Sequence, residues 1–284
     1  MCIKQVVDTS VPLETEPTGR ALSQEGLVFM PNPADLCAAA LAARWATAVG
    51  GESVAVTLGD ARAEAVLREA LAQGVQRGLL VLDRSATLLR DPMEKARLLA
   101  RALEPLTPDL VLCGTRSLDT GRGVVPGALS EFLGLPQVTG VLDLRLAQDR
   151  ASVTARRRLE QGRREEIFCP LPALIAVEEG ISEVAYADLP RLVEALSRPL
   201  ETVEVARLGT QGSGRPTVEV VGLGTLRPRP KKLLAPDSSL SGADRLRQLM
   251  GGGARKAQAT DVVTGTPEEL AEAFVRFLKQ QGIL

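Results

Sequence analysis

The chain has 284 residues, 45% hydrophobic and 24% charged, with 34 basic against 35 acidic side chains and a formal charge of −1. That composition describes an ordinary soluble globular chain with ample core, and its balanced charge gives no footprint for nucleic acid or an anionic membrane. Histidine is absent and aromatic rings are few, which excludes a Ser-His-Asp triad, a Cys-His pair, an imidazole metal site and a stacking platform for single strands. Chemistry is therefore expected from a cofactor or a partner, with no catalytic side chain and no metal of the chain's own.

Residues 2–7 predict a first strand. Asn32-Pro33-Ala34-Asp35 opens a helix to about Val49, with Asn at the cap, Pro at the first helical position and an acid in the first turn. Ser53–Leu58 is a buried strand, Ala61–Gln73 a helix ended by Gly74, and Gly78–Asp83 the next strand. Asp91–Leu106 reads as a helix and Asp109–Cys113 as another buried strand. Strands apolar on both faces, alternating with helices, predict a parallel sheet covered on both sides: a three-layer α/β nucleotide-binding fold. Further on, Gln137–Ala147, Ser152–Leu159 and Glu166–Pro170 predict an antiparallel hairpin added to that sheet, and Leu171–Glu178 another buried strand. The Arg156-Arg157-Arg158 and Arg163-Arg164 runs flank its turn, as a solvated face or a partner contact.

From about Pro199 the chain loosens. Gly209–Gly214 is linker-like, Thr217–Val221 a short strand, Arg227–Lys232 basic, and Pro236–Gly253 carries one short helix and a triple glycine. Thr266-Pro267-Glu268-Glu269 is a capping box, and Leu270, Phe274, Phe277 and Leu278 make one apolar stripe behind it. Two parts are expected, an α/β domain over 1–198 and a C-terminal arm with its terminal helix over 199–284. Cys2, Cys37, Cys113 and Cys169 form no C-x-x-C pair and read as small buried hydrophobes in a reducing compartment. No apolar run reaches membrane-spanning length and no leader pattern is present, so a cytoplasmic location without membrane insertion is expected.

The most informative stretch follows the strand at 109–113: Gly114-Thr115-Arg116-Ser117-Leu118-Asp119-Thr120-Gly121-Arg122-Gly123, then a helix from about Val124 to Leu133. Small residues between strand and helix let backbone N–H groups approach a phosphate, and the helix N-terminus favours negative charge. Thr115, Ser117 and Thr120 offer hydroxyls and Arg122 a cation. Ten residues is long for a plain β–α connection, so an anion or nucleotide site is expected at this carboxyl edge of the sheet. The loop is neither a P-loop nor a G-x-G-x-x-G dinucleotide fingerprint.

The ordered series of motifs resembles the β subunit of electron transfer flavoproteins over nearly the whole chain. CIKQVVDT is similar to that family's Val-Lys-Gln-Val-Pro-Asp opening, NPAD to its Asn-Pro motif, and EALAQGVQRGLLVLD to its Ala-Leu-Ala-Met-Gly-Ala-Asp segment. CGTRSLDTGRGVVPGALSEFLGLPQVT is similar to its nucleotide loop and helix, and RRRLEQG with LPALIAVEEG to its hairpin and Leu-Pro-Ala strand. The resemblance implies an adenine nucleotide alpha hydrolase-like fold. It also implies a heterodimer with an α subunit, a redox FAD shared with that subunit, and an adenine nucleotide held in this chain, either AMP or a second FAD. Cys2, Asn32, Pro33, Ala34, Asp35 and Leu58 fall where the family contacts that nucleotide, as do Asp119, Thr120, Gly121, Arg122, Gly123, Val124, Val125 and Pro126. Ser182–Arg198 falls on the partner-recognition loop, where Leu189, between Tyr186 and Pro190, matches the leucine that anchors a dehydrogenase or other redox partner; the arm embraces α.

The sequence departs from the pattern in places. Ser182-Glu183-Val184-Ala185-Tyr186 stands for Asn-Glu-Pro-Arg-Tyr, Ser197-Arg198-Pro199 replaces a Lys-rich run, and Asp119-Thr120-Gly121-Arg122 replaces Asp-Gly-Asp-Thr. Three functions stay open at this point. One is a carrier passing electrons between dehydrogenases and an acceptor. A second is a subunit of an electron-bifurcating, NADH-oxidising flavoprotein with a second FAD. The third is a non-redox nucleotide-binding regulator, against which the long arm speaks.

Overall fold

The structure, a computed structural model, describes all residues except 20, 24, 85–90, 210–216, 219–220, 222–239, 251–262 and 282–284. The basic run at 227–232, the triple glycine at 251–253, most of the 209–214 linker and part of the strand expected over 217–221 lie outside the described residues.

In chain order the elements are β1 (Gln5–Val7), β2 (Phe29–Pro31), α1 (Pro33–Val49), β3 (Val54–Gly59), α2 (Glu64–Ala72), β4 (Arg77–Leu82) and α3 (Pro92–Leu103). There follow β5 (Leu110–Gly114), α4 (Val124–Leu133), β6 (Gln137–Leu146), β7 (Ser152–Arg158), β8 (Arg164–Pro170) and β9 (Ala173–Val177). Last come α5 (Leu189–Ser197), β10 (Glu201–Glu204), α6 (Gly242–Met250) and α7 (Pro267–Gln280). The chain divides into two units, Met1–Gly224 and Thr225–Leu284. The division does not fall at the expected boundary after Arg198, because β10 extends the parallel sheet beside β4.

The first unit holds two runs of strands. β10, β4 and β3 are parallel in that order, and β5, β9 and β6 are parallel and continue into antiparallel β7 and β8. Residues 1–3 fill the space between the runs. Val56 donates its amide to the Met1 carbonyl at 2.9 Å, Ile3 donates to the Val56 carbonyl at 2.9 Å, and Cys2 donates to the Leu112 carbonyl of β5 at 2.8 Å. The expected strand over 2–7 is therefore two pieces. Its first three residues close the sheet; β1 turns away and pairs antiparallel with β2. The break is at Lys4, whose amide donates to the Asp35 carboxylate and whose carbonyl accepts from the Asn32 amide, so neither serves the sheet.

Apolar strands on both faces require two cores, and two are present. One packs Ile3, Leu41, Leu67, Leu112 and Ile175 between the sheet and α1 and α2. The other packs Val56, Leu99, Leu103, Leu129 and Leu174 between the sheet and α3 and α4. All five residues of β9 are buried, the mark of a strand with helices on both sides. The hairpin is appended as expected, with Arg157 paired to Glu165 at 2.7 Å and Arg156 to Asp143 at 3.3 Å, while Arg158, Arg163 and Arg164 face solvent.

The second unit contains α6 and α7. The capping box is formed: the Glu269 amide donates to the Thr266 hydroxyl and the Thr266 amide to the Glu269 carboxylate. Leu270, Phe274, Val275 and Phe277 on α7 remain exposed. Among the described residues no helix is long and apolar enough to cross a membrane.

Ile3→Ala removes a buried side chain at the seam between the two runs of strands. It is expected to cost about 2–5 kcal/mol in urea unfolding with the slope of the transition unchanged.

Candidate functional site

The Gly-rich segment leaves β5 at the carboxyl edge of the sheet and delivers the chain to α4, where Gly123 starts the helix with φ 63° and Gly121 also has a positive φ. Its shape is set from outside. The Gly114 amide donates to Asp35 Oδ1 at 2.5 Å, the Leu118 amide to Asn32 Oδ1 at 3.0 Å, and Asn32 Nδ2 to the Arg116 carbonyl at 3.2 Å. The first turn of α1 thus holds the loop at three points.

This corrects the expected role of Asn32. It occupies the cap position of α1, but its side chain makes no capping hydrogen bond; both ends of the carboxamide are spent on the loop. Asp35 is likewise more than a first-turn acid. It is buried, and accepts from the Lys4 amide at 2.9 Å as well as from Gly114. Burial pushes its carboxyl up to about 6, against the lowering effect of those amides, the Asn32 side chain and the Lys4 charge. Gly114 is required by close approach: a Cβ there would lie 2.6 Å from Asp35 Oδ1, 2.9 Å from Ala34 Cβ and 2.9 Å from Asn32 Nδ2.

Beyond the pinned part the loop is charged. Lys4 Nζ lies 2.6 Å from Asp119 Oδ1 and donates to the Ser117 hydroxyl at 3.2 Å. Burial raises the Asp119 carboxyl, but the Lys4 ammonium, together with donors from Lys4, Ser117 and the Thr120 amide, outweighs it and leaves the group below its ordinary value. Lys95, in the first turns of α3, is close enough to feel this cluster. Burial pushes its ammonium down to about 8; the charges of Lys4 and Arg122 add to the fall and Asp119 opposes it. Among the described residues the Lys95 ammonium has no hydrogen-bond partner. Lys95 therefore feels two further cations, Lys4 and Arg122, and one carboxylate, Asp119, that is already paired with Lys4.

The hydroxyls divide differently from the expectation. Ser117 and Thr120 bond each other at 2.9 Å on the exposed part of the loop. Thr115 turns inward, donating to the Ala176 and Val177 carbonyls and accepting from the Gly140 amide, so it braces β5 against β9 and is lost to a ligand. Thr120, Gly121, Arg122, Gly123 and Val124 are exposed, Val125 packs on the second core and Pro126 is buried. Cys2 is buried in that core and Leu58 packs against it at the end of β3. Burial raises the Cys2 thiol to about 11, and that of Cys113 well above its ordinary value, so both are inert thiols at neutral pH. Asn32 and Asp35 are joined to the loop directly, with Pro33 and Ala34 between them at the start of α1. Lys4 and Lys95 were not expected from the sequence. Lys4 lies inside the quoted opening motif, but nothing local aims it at residue 119.

Residues 21–208 match the family model described as "Electron transfer flavoprotein domain". The chain belongs to the electron transfer flavoprotein family. It is 32% identical to the electron transfer flavoprotein subunit beta of Thermoanaerobacterium thermosaccharolyticum, over 69% of this chain and 74% of that protein. It is 30% identical to the Bacillus subtilis subunit beta, over 72% and 77%, and 29% identical to the human one, over 74% and 82%. Electron transfer is thus the function class of this chain, as the resemblance implied.

The segment over 182–198, where a partner-recognition loop is expected, lies elsewhere on the first unit. It leads into α5, which Asp188 caps by accepting from the Arg191 amide at 3.0 Å. Tyr186 is 95% exposed and Leu189 72%, and Pro190 is exposed beside them.

Gly114→Ala forces the new methyl into the Asn32–Asp35 turn. It is expected to destabilise the protein by about 1–3 kcal/mol, read as a lower midpoint in thermal unfolding.

Proposed function

We propose that this chain is the β subunit of a heterodimeric electron transfer flavoprotein. It pairs with an α subunit, forms part of the setting of an FAD shared with it, and holds an adenine nucleotide against the 114–126 loop. The observation that carries this reading is the loop itself, fixed by Asn32 and Asp35 and ringed by Lys4, Lys95 and Arg122 at the carboxyl edge of a parallel sheet.

The residues present suit a phosphate. A half-buried ammonium without a hydrogen-bond partner among the described residues, an exposed guanidinium and a glycine-lined helix start are donors without acceptors. Arg122 and Lys95 would supply charge, and the backbone at Arg122–Val124 would supply N–H groups, the Gly121 amide being taken by the Ser117 carbonyl at 2.8 Å. With so few rings in the chain, the base would rest on aliphatic side chains and backbone instead of a stack. A bound flavin supplies the electron chemistry. The chain's own work is to grip, orient and present, which needs no acid–base residue and agrees with the absence of histidine.

The nucleotide content tests this. The chain is co-expressed with its α subunit, the purified complex is denatured, and the released nucleotides are separated and counted. One FAD and one AMP per heterodimer is the expected result. Two FAD would assign the complex to the bifurcating type, and no flavin would overturn the reading in favour of a nucleotide-binding regulator.

Two further outcomes follow from the charges. Arg122→Ala is expected to weaken AMP retention about fivefold, a small effect because the guanidinium is exposed. Lys95 is charged below about 8 and neutral above it, and a phosphate favours the charged form. AMP affinity measured by calorimetry should therefore fall as pH rises through that value, with proton uptake on binding, and Lys95→Gln should flatten the profile.

The segment over 182–198 is proposed to dock the dehydrogenase or other redox partner. Leu189→Ala should slow transfer to that partner without loss of bound flavin; unchanged kinetics would remove Leu189 from the anchor role.

A further inference from the structure

α5 carries its apolar side chains outward. Leu189, Leu192, Val193 and Leu196 are all exposed, and Ala195 is the one buried residue of the helix. Apolar burial of the segment is therefore small: Ala195 packs with Leu71 and Ala72 of α2, with Ala187 and Leu200 against them. Polar contacts from α2 fix the segment at both ends. At the entrance, Gln73, the C-cap residue of α2, takes both backbone groups of Ala185: its Nε2 donates to the Ala185 carbonyl at 2.9 Å, and the Ala185 amide donates to its Oε1 at 3.0 Å. At the exit, Arg68 donates to the carbonyls of Ala195 at 2.8 Å and Arg198 at 2.5 Å. Arg198 in turn reaches the Val75 and Gln76 carbonyls at 3.4 Å each. Between these attachments a cavity of about 460 Å³ separates the segment from α1 and α2, lined by Ala43, Thr47, Leu71, Ser182 and Arg191 among others. The segment spans this space and is located by its ends.

We infer that Gln73 is a positioning residue for partner docking: its carboxamide fixes the backbone at Ala185 and so presents Tyr186–Leu196 in one conformation before a partner arrives. The inference rests on the reading of 182–198 as the docking segment. Its physical content is preorganisation. A loop that is already ordered loses less entropy on binding, so its fixing bonds appear in affinity and not in the transfer step. The carboxamide suits this role because it pairs with one residue's N–H and C=O at once, as a neighbouring strand would. A side chain of the same length without polar atoms leaves both groups to water.

The test uses the complex with the α subunit and a dehydrogenase purified by its ability to reduce the wild-type complex. Gln73→Met is expected to raise the KM for that dehydrogenase about three- to tenfold, with the limiting rate and bound flavin unchanged. Amide exchange should quicken over 183–190 and stay unchanged in the sheet. Gln73→Glu gives a signature that a general loss of stability would not. Its carboxylate accepts from the Ala185 amide but repels the carbonyl, whereas the protonated acid restores both bonds. Its KM should therefore return toward the wild-type value as pH falls toward the carboxyl range of ~4–5, while that of Gln73→Met stays raised. An unchanged KM for Gln73→Met, with Leu189→Ala impaired, would overturn the role of Gln73 and leave the docking reading standing. If Leu189→Ala is also unimpaired, the docking reading itself fails and the role of Gln73 falls with it.

Discussion

Asp35 accepts from the amides of Gly114 and Lys4 while shielded from water, and from this one carboxylate three parts of the molecule take their positions. It fixes the start of α1 against the end of β5. It ends the sheet pairing of residues 1–3 by drawing off the Lys4 amide. By fixing the Lys4 backbone it also brings the Lys4 side chain over Asp119. A carboxylate whose pKa is raised by burial is not a comfortable group, and here its cost is offset by donors that would otherwise be orphaned at a strand end. Asn32 repeats the arrangement one turn of loop later with a neutral side chain. The 114–123 loop is therefore shaped largely by what lies beneath it, through Asp35 and Asn32.

Much of the fold was legible because each buried strand announces itself. The runs at 53–58, 78–83, 109–113 and 171–178 lack the alternation of a half-exposed strand, and each is a core strand. The appended hairpin showed in its turn at 160–162 and its flanking arginines. The split of residues 2–7 was not legible, since both halves are apolar and extended; only the distant Asp35 decides where the first piece stops. The site was partly legible in the same sense. Glycines and hydroxyls mark the loop, but not which hydroxyl points outward: Thr115 is claimed by β9 carbonyls sixty residues downstream. Lys95 reads locally as one more polar position on an amphipathic helix, and its place beside Lys4 and Arg122 is a product of tertiary packing. Asn32 looked like a cap because local statistics favour that role, and tertiary demand for its two polar ends overrode them.

The two proposed surfaces are built on opposite principles. At the 114–123 loop, buried donors and acceptors hold an exposed backbone in a fixed curve and place charge beside it. At α5 the backbone is held from its ends and apolar side chains are left facing water. The first arrangement would suit a retained ligand, the second a protein partner that leaves after each encounter. Both hang from helices on the same side of the sheet, α1 for the loop and α2 for the 182–198 segment.

The filling of the sheet by residues 1–3 carries a consequence for folding. Their hydrogen-bond partners lie at Val54, Val56 and Leu112, and the Lys4 side chain meets Asp119. Pairing with β3 closes about fifty residues of chain, and pairing with β5 closes more than a hundred. Such distant closures are slow and leave apolar edges uncovered meanwhile. The step that joins residues 1–3 to β5 is then the same step that brings the Lys4 side chain onto Ser117 and Asp119 of the glycine-rich loop.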